Sequence, residues 1–497
     1  MSAGDSQGVV FPLVDGVRSA SSAGRAILAA AVRDADPGRA ARIENAASWH
    51  TDYREHFVAA TALGAHAPAD TLRTAVAGLD AARRVLRYRI GAEETAIADR
   101  TWPDTVTHKA VTIHGDRQPG TVLSVPYGGT RLSGAALRDQ LHRWHERGIV
   151  EYGFVTALER AIVDPSVLRV PGRQIALLGA AAALGPLEPL CEWGAQVLAV
   201  DVPTPAVADR IGEIARRGAG AVTVPHREGA AGMDVTAAVP EVTAWLLATA
   251  AADRDLVVGM YGYAHGARHV ALTAAADAVA AQLMWLRPGT GVAYLSTPTD
   301  AYLVPDRVVD HARRGWAARG RIMRVVQGGL RLASGGELCR RGYSTEHAAA
   351  DGTRWGVADL LLPMQGPNYA LAKRIQRWRG LVAAADGNPV SLSVAPASWT
   401  RSVTANRVFR YAYAGASRFG VEVFDARTTR YLMAAKLAVD LADPVPPTEH
   451  PEALLYADAN HGGFWRQPFD PKSVLPLAAL FGALGTRRDQ TRARMNL

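Results

Sequence analysis

The chain has 497 residues, 48% hydrophobic and 21% charged, which excludes a disordered segment or one small module and leaves room for two to three domains. Its net charge is +8. That charge is scattered arginine with no Lys/Arg block of the kind that marks a nucleic-acid arm, so no nucleic-acid partner is expected.

Met1 to Gln7 carry no basic stretch ahead of an apolar core, so no secretory leader is expected. Two distant cysteines, Cys191 and Cys339, suit a reducing, cytoplasmic setting. The longest uncharged apolar run, Ile175 to Leu187, is broken by Gly179, Gly185 and Pro186 and does not read as a membrane span.

Residues 1 to about 95 are predicted mainly helical, with apolar positions at helical spacing over Ser21–Arg33 and Asp70–Arg87. Val106–His114 and Thr121–Val125 read as short strands and Tyr127-Gly128-Gly129 as a turn. Ser133 is a candidate N-cap for a helix over Ala136–Arg147, and Phe154–Ile162 reads as another helix. Pro165–Arg173 reads as a linker. The division expected is a mainly helical region with a short β-hairpin at 1–170 and an α/β domain at 171–497.

From Gln174 the pattern changes. Gln174–Leu178, Gln196–Val200, Ala221–Val224, Leu256–Val258 and Gly291–Leu295 are short apolar runs that fit buried parallel strands. Helical segments separate them: Leu184–Trp193, Val207–Arg217, Val239–Ala252 and Val270–Leu286. This alternation predicts a doubly wound parallel sheet with helices on both faces.

The first strand-to-helix turn reads Gly179-Ala-Ala-Ala-Ala183-Leu184-Gly185. Small residues there let backbone approach a pyrophosphate. Asp201 closes the second strand, 22 residues after Gly179, where a carboxylate accepts hydrogen bonds from an adenosine ribose. A carboxylate with no basic neighbour would repel a 2′-phosphate, which favours NAD over NADP.

Tyr369 and Lys373 are one helical turn apart, so they share a face. Lysine is scarce: only Lys109, Lys373, Lys436 and Lys472 occur. An ammonium beside a phenol favours the phenolate and lowers the tyrosine pKa, which equips Tyr369 as a general acid or base toward a carbonyl or carbinol. With 14 tyrosines, such a spacing arises by chance in about one chain in ten, so it does not stand alone.

In this order, the markers resemble the short-chain dehydrogenase/reductase family over most of residues 174–466. The Gly179–Gly185 turn resembles the family's glycine motif, with Ala183 in the place of its middle glycine. Asp234-Val235 is similar to the pair that approaches the adenine, and Ser296 falls where the family has its catalytic serine. Tyr369 and Lys373 match its catalytic pair. Val390–Pro396 resembles the sixth strand and the loop after it, though Ala397 stands in place of a glycine. Leu454–Ala457 with His461-Gly462-Gly463 resembles the last strand and its end.

The departures are specific. Gly259-Met260-Tyr261-Gly262 replaces an Asn-Ala-Gly stretch, and the relay asparagine of the next helix falls near Ala271. Ser296 and Tyr369 are 73 residues apart, so an insertion at about 302–360 loops out between them.

The resemblance implies a Rossmann-type fold and an NAD-dependent oxidoreductase acting on a carbonyl or secondary alcohol of a small molecule. Tyr369 would be the acid/base. Lys373 would tune it and hold the nicotinamide ribose, and Ser296 (or its neighbour Thr297) would hold the substrate oxygen. Gly179, Ala183, Leu184, Gly185, Asp201, Asp234, Val235, Gly259, Tyr261, Lys373 and Pro396 would contact the cofactor. The family also implies dimers or tetramers. A lyase, isomerase or epimerase using the same tyrosine, a non-catalytic nucleotide sensor and a methyltransferase are the alternatives.

Four other features stand out. His265 and His269 have the spacing of a helical metal pair but no third ligand; polar residues at a helix start account for them equally. His142 and His145 share a helix face beside Trp144, again with no further ligand. Asn460 and His461 precede a glycine pair that fits a turn. The insertion's run from His311 to Arg321 interleaves Arg with Trp316, which fits a solvated amphipathic helix, and its position fits a lid or pocket wall.

Overall fold

The computed structural model describes residues 7–495 except 103–104, 401–402, 405 and 445–449, with side chains to residue 485. Of the Met1–Gln7 stretch read for a leader, all but Gln7 lies outside the described residues.

The N-terminal region is mainly helical: Ala20–Val32 (α1), Trp49–His66 (α2) and Pro68–Val85 (α3). The second of these had no clear sequence signature. His56 and Thr61 turn inward with Tyr53 and Phe57, so polar residues interrupt its apolar stripe. Lys109–His114 (β1) does not pair with the strand after it. It joins the central sheet, antiparallel to Ala221–Arg227. The hairpin is Ser124–Tyr127 with Thr130–Ser133, turned by Gly128 and Gly129, both at positive φ as a two-residue hairpin loop requires. Ser133 precedes the helix Gly134–Glu146, although its side chain makes no capping bond.

The central sheet contains Arg173–Leu178 (β2), Gln196–Val200 (β3), Ala221–Arg227 (β4), Asp255–Met260 (β5) and Gly291–Ser296 (β6). Leu187–Trp193 (α4), Pro205–Arg217 (α5), Val239–Thr249 (α6) and Ala267–Leu286 (α7) connect them. Helix α4 starts three residues later than expected, because Gly179–Pro186 forms an irregular turn.

After β6 the chain makes its excursion. Ala301–Pro305 (β7) leads into Asp306–Ala317 (α8) and Arg321–Ala333 (α9), then Glu346–Ala348 (β8) and Arg354–Asp359 (β9). Strands β7, β9 and β8 form an antiparallel sheet in that order. Pro367–Ala385 (α10), Val390–Val394 (β10) and Ala426–Ala442 (α11) resume the main pattern.

The spatial order is β1-β4-β3-β2-β5-β6-β10, parallel except for β1 and for the two-residue strand Ala230–Ala231, which also pairs antiparallel with β4. This is the doubly wound α/β arrangement, with its switch point between β2 and β5. Alternation along each strand divides the core. Ala176 and Leu178 face one hydrophobic cluster with α1, α3, α6, α7 and α10. Ile175 and Leu177 face the other, with α4, α5 and α11. The apolar helix α7 is long enough to cross a membrane, but 67% of its most apolar stretch is buried inside the fold.

The segment Leu454–Ala457, expected to be a last strand, is instead the short helix Ala453–Tyr456. An apolar run of that length does not set a period. Here the Leu455 and Tyr456 N–H groups close on the Glu452 carbonyl, and the Glu452 carboxylate is ion-paired with Arg377.

Candidate active site

Helix α10 starts at Gly366, in a left-handed conformation (φ 76°), with Pro367 in its first turn. That start sets Tyr369 at the open end of the helix and Lys373 one turn deeper. The helix packs against α7 and β6, so both side chains meet the C-terminal ends of the parallel strands, where ligands bind in open α/β sheets.

The side chain of Thr297, one residue beyond Ser296, lowers the Tyr369 pKa. Thr297 Oγ1 lies 2.9 Å from Thr299 Oγ1, and the Gln365 amide donates to Thr299. The Thr299 N–H also points at Thr297 Oγ1, 3.3 Å away. Either hydroxyl of the Thr297–Thr299 pair can be the donor, and the Thr297 side chain favours the Tyr369 phenolate. Burial is the larger influence and pushes Tyr369 up to about 12. The lowering expected from Lys373 is not found: the group that lowers Tyr369 is Thr297.

Lys373 Nζ donates to the Leu295 carbonyl and to Gln376 Oε1, both at 3.0 Å. Burial lowers its pKa to about 8, opposed by the Asp300 carboxylate. Ser296 ends β6 opposite Val394 and is buried, and its carbonyl accepts from Ala395 (3.0 Å).

The imidazole of His269 lies nearly parallel to the Tyr369 ring, at 20° and 5.7 Å between centroids. Tyr263 approaches Tyr369 edge-on at 6.5 Å. His269 is buried, and burial and then Lys373 lower its pKa to about 3, so it is neutral. Its Nδ1 accepts weakly from the Ala264 N–H (3.4 Å), which puts the proton on Nε2. That Nε2 has no partner, and the same holds for Thr273 Oγ1 one turn on and Gln376 Nε2 on the facing helix. His265 does not join His269 in a metal site: among the described residues no three ligating side chains gather.

At the glycine turn, Gly179 has φ 83°, and a side chain there would meet Gly262 backbone at 2.3 Å. The Tyr261 and Gly262 N–H groups close on the Leu178 carbonyl at 2.9 and 3.0 Å. The Tyr261 ring lies over Gly259, where an added Cβ would sit 2.6 Å from it. Asp201 accepts from the Ala181 and Val202 N–H groups, both at 2.8 Å. Burial raises its pKa, against those two bonds. The carbonyl of Ala183 is taken by the Arg430 guanidinium, and Leu184 and Gly185 lie in the turn before α4. Asp234 accepts from the Thr236 N–H (2.8 Å), Val235 is buried, and the N-terminal strand Gly8–Val10 leans on this loop through Val9 N–H to Thr236 carbonyl (3.0 Å). Pro396 is buried after β10, its carbonyl accepting from Ser398 (2.9 Å).

Asn460 and His461 lie in the interior. Asn460 N–H donates to Val394 at the end of β10, and its side-chain amide has no partner. His461 bonds Glu151, which also pairs with Arg466 (2.7 Å). His142 meets Glu159 (3.0 Å) on a partly exposed face. A groove of about 470 Å³ lies between α2 and the excursion, away from Tyr369. Sequence reasoning missed Gln365, Thr299, Thr273 and Gln376. The signals were the second threonine of Thr297-Pro-Thr299 at a strand end and a glutamine one turn after the lysine.

No protein-family model matches the chain, and no curated protein matches it. Among the 13 solved chains similar to part of it are three polyketide-synthase domains. An A-type ketoreductase from a modular polyketide synthase overlaps 54% of this chain and 46% of its own, at 15% identity and TM-score 0.31. An A1-type ketoreductase overlaps 55% and 47%, at 16% and 0.33. The terminal R domain of the myxalamid PKS-NRPS biosynthetic pathway overlaps 58% and 70%, at 17% and 0.29. The chain thus spans about half the length of the first two. Overlaps this loose assign it neither activity nor substrate.

Proposed function

We propose that the chain is an oxidoreductase of short-chain dehydrogenase type, interconverting a carbonyl and a secondary alcohol on a small molecule with a nicotinamide dinucleotide. The observation that carries this is Tyr369 at the C-terminal end of a parallel sheet, beside the Thr297–Thr299 hydroxyl pair and under the His269 ring, with Lys373 one turn below on the Leu295 carbonyl.

The residues fit a dinucleotide. The backbone beside Gly179 passes where any side chain would collide. Each Asp201 oxygen accepts one backbone N–H and keeps a second lone pair for a ribose hydroxyl. Gly179, Ala183, Leu184, Gly185 and Asp201 would hold the diphosphate and adenosine ribose, with Asp234, Val235, Gly259, Tyr261 and Pro396 around them. Lys373 would reach the second ribose. When bound, the nicotinamide supplies or accepts the hydride.

Tyr369 gives its proton to the substrate oxygen as that oxygen gains charge, and Thr297 then stabilises the phenolate. Lys373 keeps a positive charge nearby below about pH 8. In the reverse direction the phenolate takes the alcohol proton. The neutral His269, with a free Nε2–H, is a donor and not an acid.

The test is titration with NADH and NADPH by nicotinamide fluorescence, then turnover over a panel of ketones and aldehydes, with Tyr369→Phe alongside. The variant should bind the nucleotide as tightly and lose at least about a hundredfold in turnover. Retained turnover would remove the tyrosine from the chemistry, and binding of neither nucleotide would sink the whole reading. Turnover without net consumption of cofactor would point to an isomerase or epimerase.

A further inference from the structure

None of the 13 residues of α9, Arg321–Ala333, is buried. Its apolar residues are displayed, not hidden: Ile322 is 82% exposed, Val325 76% and Leu332 86%, with Met323 and Val326 half exposed. Ile322, Val325, Val326, Gly329 and Leu332 recur at helical spacing and make one stripe about 15 Å long. Arg321, Arg324 and Arg331 line the opposite and flanking faces, all exposed, with no ion pair among the described residues.

The charge around this stripe has one sign. From His311 to Gly336 there are six arginines and no acidic residue. Arg313 is neutralised by Glu346, and Arg319 is folded over Trp316 and bonded to Gln327. The three arginines of α9 remain for something outside. The helix is anchored on one side only, through Leu330, against the cluster of Cys339, Phe469 and Val474. Beside that cluster the helix that starts at Pro471 exposes Leu480, Phe481 and Leu484.

We propose that α9 is a docking element for an anionic lipid surface, lying in the interface with its apolar stripe in the acyl boundary and its arginines on the head groups. Exposed aliphatic side chains flanked by unpaired arginine, on a short helix with no acid, match what such a surface attracts. A second copy of the chain fits less well. A two-fold contact through this stripe would bring the same arginines together with no carboxylate in the segment to offset them. The helix lies on the surface and does not cross it; its length is too short to span.

The experiment is co-flotation of the full chain with vesicles of phosphatidylcholine alone and of phosphatidylcholine containing phosphatidylglycerol. The doubles Ile322→Ser/Leu332→Ser and Arg324→Glu/Arg331→Glu are run beside the wild type. Flotation is expected only with the anionic vesicles, weakening with salt. Each double variant should lower it by roughly tenfold or more while leaving the unfolding midpoint unchanged, since every substituted side chain is exposed. No flotation, equal flotation on neutral vesicles, or full binding by both variants overturns the proposal. So does a wild-type dimer that Ile322→Ser/Leu332→Ser turns into monomer, which would give the stripe to a second copy.

Discussion

At the strand ends of β2, β3 and β4, polar groups are used on one another. Asp201 ties the glycine turn through Ala181, Asp234 caps its own loop through Thr236, and Tyr261 and Gly262 close on Leu178. Around β5, β6 and β10 the opposite holds. His269 Nε2, Thr273 Oγ1, Gln376 Nε2 and the Asn460 amide are buried without a protein partner. A buried unpaired polar group costs roughly 1–3 kcal/mol, so a cluster of them marks where a ligand or ordered water completes the structure. The first half keeps spare lone pairs on Asp201; the second keeps buried groups with no protein partner.

The second half also holds its reactive helix by charge. Arg374 and Arg377 of α10 meet the buried Asp300, Arg377 meets Glu452, and Arg379 meets Asp277 on α7. Removing one partner leaves the others buried and unpaired. Asp300→Ala should therefore cost about 3–5 kcal/mol in denaturant unfolding and abolish turnover. A loss under about 1 kcal/mol would mean that apolar packing alone holds α10, and the contrast between the halves would fail.

Glu151 sharpens the comparison through pH. Burial raises its pKa, but hydrogen bonds from His461 and Arg466 win and hold it down to about 2. A depressed carboxyl stabilises the fold above its unfolded value and loses that contribution as pH falls through the folded one. The free energy of unfolding should fall between about pH 4 and pH 2, by an amount on the order of 3 kcal/mol at most, read from denaturant unfolding at each pH. In Glu151→Gln that drop should largely vanish, with a lower plateau at neutral pH.

Thr297→Val removes the hydroxyl that favours the Tyr369 phenolate and should lower turnover by roughly 10–100-fold with little change in nucleotide binding. Ser296→Ala is expected to cost less than about threefold, because Ser296 is not among the groups that shift Tyr369. Equal losses would restore the serine to the role the resemblance gives it. The smallest effect is in the first half: Asp201→Asn should cost about 1 kcal/mol even without nucleotide, measured by melting, because one backbone N–H loses its acceptor.

The parallel strands were legible because both faces are buried and each reads as an unbroken apolar run. The helix that carries Tyr369 and Lys373 was legible from their one-turn spacing. What was not legible involved partners far apart in sequence. Lys109–His114 found its partner over a hundred residues on, in Ala221–Arg227. Helix α2 hid its period because its polar residues face inward, and Leu454–Tyr456 was too short to declare one. Whether Ser296 or Thr297 serves Tyr369 turns on a single residue at the end of β6, where the chain leaves the sheet and strand alternation no longer fixes which hydroxyl faces the site.

The excursion between β6 and α10 departs and returns at one point. Ala301 pairs with Asp359, and the Leu360 N–H donates to the Asp300 carbonyl at 3.2 Å. To the central sheet, some sixty residues of added chain are thus no longer than a tight turn. The excursion is more than a stem, though: Tyr302, Val304, Val308 and Ala358 carry it into the main core, and Arg377 of α10 donates to the Ala301 carbonyl, so trimming it would open the wall behind Tyr369 and not merely shorten a loop.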